Sequence, residues 1–350
     1  MTDLSTFDPN SVGNLNNNIF GLPFDEEESK LVIVPVPWEV TVSYGSGTAR
    51  SPEHIFNSSK QVDLFDAYNP MGWRNGYHML EIDKKILSKS DYLRKEAELY
   101  IDFISKGDLV GSNKFMSKSL KDINEGGALL NEKVYETTKR LLDQNKLVGL
   151  LGGDHSTPLG FYKALAEKYG TFGILQIDAH CDLRKAYEGF IWSHASVMYN
   201  ALHQIPQIER LVQVGVRDYC EEEWNYICNS NYKVITYFGE QIRQRLYEGQ
   251  NWAYIAETIV NHLPEYVYFS FDIDGLDEKL CPNTGTPVPG GLECEQVIYL
   301  FRKVLESGRK LIGFDLVEVG IGETATDWDS NVASRILWKM CNMLMKSHSS

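Results

Sequence analysis

Basic residues are scarce in this chain. There are 34 Lys and Arg against 48 Asp and Glu, a formal net charge of -14. That balance excludes a phosphate-backbone binder, which needs clustered cations. It is compatible with a cationic substrate, though a solvated acidic surface is the commoner cause. Cysteine is sparse as well. The six residues Cys181, Cys220, Cys228, Cys281, Cys294 and Cys341 are scattered over 350 positions without a C-x-x-C pair. Such spacing argues against a disulfide framework and for reduced thiols. No run reaches the ~18 apolar residues of a membrane span. The N-terminus holds neither the basic nor the apolar segment of a secretory leader. Repeats, low-complexity tracts and a linker to a second domain are missing too. The expectation is a cytoplasmic protein that touches neither membrane nor nucleic acid.

What remains is the composition of a globular chain, 43% hydrophobic and 23% charged. Residues 1–30 are polar and Asn-rich and read as an irregular arm, either mobile or packed on a neighbouring subunit. Leu31–Val36 is a β-branched run, the first buried strand. Tyr44-Gly45-Ser46-Gly47-Thr48 lacks phosphate-loop spacing and reads as a structural turn. Ser51-Pro52-Glu53 is a capped helix start. The stretch from about 60 to 127 reads as an insertion with two short helices, Ser90–Ser105 and Lys114–Glu125. From Leu130 onward strands alternate with helices of about ten residues, the mark of βαβ units. The predicted fold is a single-domain, three-layer α/β/α architecture around a mostly parallel sheet. Its main domain spans 31–350.

Three strands end in the same way. Ile174-Leu175-Gln176-Ile177 runs into Asp178, His180 and Asp182; Val148–Leu151 runs into Asp154-His155; Tyr266–Phe271 runs into Asp272 and Asp274. Alternate residues of an extended backbone share a face. Carboxylates and imidazoles gathered on one face need a cation between them. Any one Asp at a strand end is usually a cap, and any one His a satisfied core residue; six at three similar ends are not explained that way. Four carboxylates and two imidazoles exceed a structural zinc site. They suit two metals, with Mn²⁺ favoured by the oxygen-rich set, and metal-assisted hydrolysis as the chemistry. In open α/β sheets ligands bind at these carboxyl ends.

Gly152-Gly153-Asp154-His155-Ser156, Asp178-Ala179-His180-Cys181-Asp182 and Ser270-Phe271-Asp272-Ile273-Asp274-Gly275-Leu276-Asp277 resemble the three signatures of the ureohydrolase family of arginases, agmatinases and formimidoylglutamases. The resemblance extends from about Leu31 to Lys346. It implies that His155 and Asp182 hold one metal, that His180 and Asp274 hold the other, and that Asp178 and Asp272 bridge them. A water deprotonated between the ions then attacks a guanidinium carbon and releases urea. The resemblance also implies a catalytic set of His194, Glu318 and Asp182. His194 shuttles protons, an imidazole task. Glu318 pairs with the guanidinium, and Thr286, in the loop Thr284–Gly291, hydrogen-bonds that glutamate. Asp277 and Cys181 are read as structural.

The segment Asp182–Ala195 is similar to agmatinases, which implies agmatine as substrate. After Glu318 the chain reads Val319-Gly320-Ile321-Gly322-Glu323 where the family has Val-Asn-Pro. That run, with Trp328–Ala333, resembles a subgroup including guanidine hydrolases, some nickel-dependent. Free guanidine and Ni²⁺ are therefore the alternatives, with Trp73 or Tyr77 as a lid that would leave no room for an aminobutyl tail. A formimidoylglutamase would need a cationic clamp, for which Arg184 is the candidate. The family resemblance further implies a homo-oligomer, trimer or hexamer.

Overall fold

Eight apolar runs become strands because both faces of each are covered, the pattern of a buried parallel sheet. The computed structural model describes residues 4–11, 13–43, 45–322 and 327–349; Tyr44 and Glu323 of the motifs above lie outside them. The strands are β1 (Leu31–Val36), β2 (Tyr77–Met79), β3 (Leu147–Gly152), β4 (Phe172–Ile177), β5 (Ile208–Val214), β6 (Val234–Tyr237), β7 (Tyr266–Asp272) and β8 (Lys310–Val317). They form one sheet in the order β2-β1-β3-β8-β7-β4-β5-β6, and every pairing is parallel. The three-layer α/β/α expectation therefore holds, with a sheet that is wholly parallel among the described strands.

The helices are α1 (Ser51–Ser59), α2 (Lys84–Ser105), α3 (Lys114–Asp143), α4 (Leu159–Tyr169), α5 (Val197–Gln204), α6 (Glu221–Cys228), α7 (Gly239–Tyr247), α8 (Trp252–Val260), α9 (Cys294–Glu306) and α10 (Trp328–Ser347). One face of the sheet packs on α1, α8, α9 and α10 through Ile55, Ile259, Phe301 and Leu337. The other packs on α2 to α5 through Leu93, Leu130, Phe161 and Met198.

Several expectations are corrected. The short helix read at Lys114–Glu125 is the first part of one continuous 30-residue helix, α3. Gly126 and Gly127 do not stop it; they let it press against its neighbours. A Cβ on Gly126 would collide with Leu93, and one on Gly127 would sit 2.8 Å from Trp192 Cβ. Ser51 does not cap α1, because its hydroxyl donates to the Gly152 carbonyl at 3.1 Å. The edge strand β2 and helix α7 were not read from the sequence: β2 is three residues long, and α7 is mostly polar.

The later part of the N-terminal segment packs on this chain itself. Ile19, Phe20, Leu22 and Phe24 are buried in this chain's own core, and the Lys60 amine binds the carbonyls of Asn17 and Asn18. The lid is absent as well. Trp73 meets Phe7 at a tilt, with 5.3 Å between ring centroids. Tyr77, fully buried in β2, donates from its hydroxyl to Asn342 Oδ1 at 3.0 Å. Both rings belong to the core beside α10 and neither lines the cleft described below.

Candidate metal centre and cleft

Four adjacent strands, β3-β8-β7-β4, end at one place. His155 follows β3, Glu318 follows β8, Asp272 ends β7 with Asp274 in the next turn, and Asp178, His180 and Asp182 follow β4. The last three are not in an extended strand. β4 stops at Ile177, and the chain then curls so that Asp182 has a φ of 55°. Glu318 is also left-handed, at 58°. Such residues cost on the order of 1–3 kcal/mol each and persist where the surroundings hold them. The curl, rather than strict alternation, brings the side chains together.

The six predicted residues converge. His155 Nδ1 lies 2.9 Å from Asp182 Oδ2, 3.0 Å from Asp178 Oδ2 and 3.3 Å from Asp272 Oδ2. His180 Nδ1 lies 3.0 Å from Asp274 Oδ2 and 3.6 Å from Asp178 Oδ1. Two ligand-like groups result, His155-Asp178-Asp182 and Asp178-His180-Asp274, which share Asp178. Asp272 closes on the first group, and its Oδ1 accepts the Asp274 amide at 2.9 Å.

The donor set fits cations. His155 Nδ1 and Asp182 Oδ2 are buried without a hydrogen bond, although they are 2.9 Å apart. A buried polar atom left so is costly unless something else binds it. Proton affinities are disturbed accordingly. Burial, then repulsion from Asp178, pushes Asp182 up to about 7. Burial, then the charges of Asp274 and Asp178, holds Asp272 well above the carboxylate range. Burial alone would discharge His180, yet Asp274 and Asp178 push it up to about 12. His155 is raised likewise, chiefly by Asp182, against its burial. Asp178 is also penalised by burial, but bonds from both imidazoles hold it below its ordinary value. Only extra positive charge, as protons or metal, relieves this crowding.

Beside the cluster opens a cleft of about 420 Å³, lined among others by His180, Asp182, Arg184, Tyr187, His194, Asp218 and Thr286. Glu318 is buried behind it. Its Oε1 accepts the His155 amide at 2.8 Å, and burial followed by repulsion from Asp154 keeps it well above the usual range. Thr286 does not reach Glu318 as expected. Its hydroxyl points to Asp274 Oδ2 at 3.4 Å, while Thr284 donates to the Glu318 carbonyl at 2.7 Å. The two threonines alternate along the loop, so one faces the glutamate and the other the metal cluster. Burial, then the neighbouring imidazoles His180 and His155, lowers His194 to about 3 and keeps it neutral.

Arg184 is already committed. It pairs with Glu223 at 3.7 Å and lies over the Tyr187 ring at 4.8 Å. Cys181 is fully buried in the opposite direction, among the core residues of the α2–α5 face. Sequence reading missed Thr41, whose hydroxyl accepts from the His194 amide at 3.2 Å and lies 3.3 Å from His194 Nδ1. It also missed Asp218, an exposed cleft acid with no ion pair among the described residues. Both lie outside the motifs, and nothing local marks them.

A parallel sheet thus gathers six metal-type residues and a buried glutamate beside one cleft. The sequence profile of the arginase family matches residues 29–342, and the chain belongs to that family. It is 30% identical over 294 residues to the N(1)-aminopropylagmatine ureohydrolase of Thermus thermophilus, covering 84% of this chain and 83% of that one. It is 27% identical over 315 residues to the agmatinase of Bacillus cereus, covering 90% and 91%. The structure of proclavaminate amidino hydrolase from Streptomyces clavuligerus matches in fold, with a TM-score of 0.70 over 97% of this chain and 100% of that one at 20% identity. The protein is a hydrolase acting on guanidino carbon–nitrogen bonds, in a family whose enzymes depend on two metals. No helix among the described residues is long and apolar enough to cross a membrane.

Proposed function

We propose that the protein releases urea from a guanidino compound carrying a second positive charge, agmatine being the nominal substrate. The observation that carries this reading is the pair of ligand-like groups sharing Asp178. His155, Asp178 and Asp182 would hold one ion, Asp178, His180 and Asp274 the other, with Asp272 beside both. Two divalent ions held there, Mn²⁺ in this reading and Ni²⁺ as the alternative, would supply a water acidified from a pKa of about 15.7 towards ~7. Glu318 orients the guanidinium through charge-assisted bonds. His194, neutral and open to the cleft, would take a proton from the attacking water and pass it to the departing amine, ending neutral again. Thr286 lines the wall next to Asp274.

Two observations favour a substrate with a cationic tail over free guanidine. The cleft is about 420 Å³, and neither Trp73 nor Tyr77 is among its lining residues. Asp218, without an ion pair among the described residues, supplies a carboxylate in the cleft lining for an ammonium group. A carboxylate tail would need Arg184, whose charge is taken by Glu223, which disfavours formimidoylglutamate.

The test loads purified protein separately with Mn²⁺ and Ni²⁺. It offers agmatine, guanidine, arginine, guanidinobutyrate and formimidoylglutamate, and measures urea and formamide. Urea from agmatine is expected, and Asp218→Asn should raise its KM. Urea from guanidine alone would replace the substrate and keep the chemistry. Formamide from the last compound, with no urea from any, would overturn the reading. A trimer or hexamer is proposed with it, to be read by equilibrium sedimentation.

A further inference from the structure

The strands beneath the metal cluster carry a row of polar residues where a parallel sheet should be apolar. Asp315 of β8 is in register with Ser270 of β7, Ser270 with Gln176 of β4, Gln176 with Gln213 of β5, and Gln213 with Thr236 of β6. Asp315, Ser270, Gln176 and Gln213 are all fully buried. The row lies two residues before Asp178 on β4 and two before Asp272 on β7, so it shares their face. Five strands thus each place a hydrogen-bonding side chain one layer below the ligands. Burial of so many polar groups is unfavourable unless each is satisfied.

The bonds run in defined directions. Thr236 Oγ1 donates to Gln213 Oε1 at 2.8 Å, Gln213 Nε2 to Gln176 Oε1 at 2.7 Å, and Gln176 Nε2 to Asp178 Oδ2 at 2.8 Å. An ionised carboxylate only accepts, which fixes the orientation of both amides. Three donors in series therefore run toward Asp178, which Gln176 reaches, each polarising the next. Gln213 Nε2 also donates to the Cys181 carbonyl at 2.7 Å, tying down the turn that carries Asp178, His180 and Asp182. On the other side His155 Nε2 meets Ser270 Oγ at 2.9 Å, and Ser270 donates to Asp315 Oδ1 at 3.1 Å. Tyr162 donates to Asp315 Oδ2 at 3.2 Å. With Nε2–H engaged by Ser270, the Nδ1 lone pair of His155 is turned to the cluster.

We propose that this row is a positioning platform: Gln213 and Gln176 fix the carboxylate shared by the two ions, and Ser270 with Asp315 fixes the tautomer of His155. The glutamines supply hydrogen bonds without adding charge, so the anionic count at the ions is left as the aspartates set it. These are positioning residues and touch no substrate. The inference rests on the two-metal reading above.

The test measures Mn²⁺ occupancy and affinity on the full chain, stripped with chelator and reloaded, for wild type, Ser270→Ala, Gln213→Met and Thr236→Val. Wild type should retain about two ions per chain; if it binds none, the two-metal reading itself fails. Given wild-type binding, Ser270→Ala and Gln213→Met should each weaken Mn²⁺ affinity about 10- to 100-fold. A packing role alone would lower the melting temperature of the metal-free protein and leave affinity unchanged. Wild-type affinity in either folded variant overturns the platform. Should Gln213→Met fail to fold, Thr236→Val, at the half-buried end of the row, decides: about threefold weaker binding supports the relay, and unchanged binding sinks it.

Discussion

Asp178 is the residue on which both halves of the centre depend, since its two oxygens face different imidazoles. Asp178→Asn should cut urea release by more than about 100-fold, because partners one step further out already cost that much. Circular dichroism should show the fold retained; full activity would refute the shared role. Glu318→Gln should lose about 2 kcal/mol of charge-assisted bonding, or about 30-fold in kcat/KM, and steady-state kinetics would check it. The titrations also have a sign. Asp182 is raised from 3.8 to about 7, so its stabilising proton, fully present below 3.8, is lost as pH rises through 7. His180 is raised from 6.5 to about 12, so its contribution starts to fall above 6.5. Asp178, held low, is ionised throughout this window. The metal-free protein should therefore melt at lower temperature as pH rises from about 5 to about 8, while metal-loaded protein should not. Thermal melts of both forms across that range would settle the matter. Most of the convergent residues were legible in sequence because they end three similar strands. Thr41 and Asp218 were not, since only the folded chain brings the first to His194 and the second to the cleft.

Among the elements, most strands were readable to within a few residues because each is a mainly apolar run. β2 was missed because three residues at a sheet edge carry no period. Helix α3 was read only as far as Glu125, because glycine weakens a helix, whereas Gly126 and Gly127 serve a close crossing with Leu93 and Trp192. Gly127→Ala should lower stability by about 1–3 kcal/mol through overpacking, rather than raise it as helix propensity alone would have it. Denaturant melts would decide between the two signs. Likewise, Gln176, Gln213 and Asp315 stood in plain view inside apolar strands. Their common register is a property of the sheet, which no single strand reveals.

At the scale of the whole molecule, folding brings together charges that oppose it. Four aspartates and Glu318 meet at one buried point, and the strain of two left-handed residues is added there. Ions that bind only the folded chain offset this, by about 4 kcal/mol at a thousandfold excess over Kd. Chelation should therefore lower the melting temperature by several degrees, reversibly on adding Mn²⁺. The most direct test is anomalous diffraction from metal-loaded crystals. Two ions are predicted, one among His155, Asp178 and Asp182 and one among Asp178, His180 and Asp274. A single ion, or a pair bound elsewhere, would contradict the account.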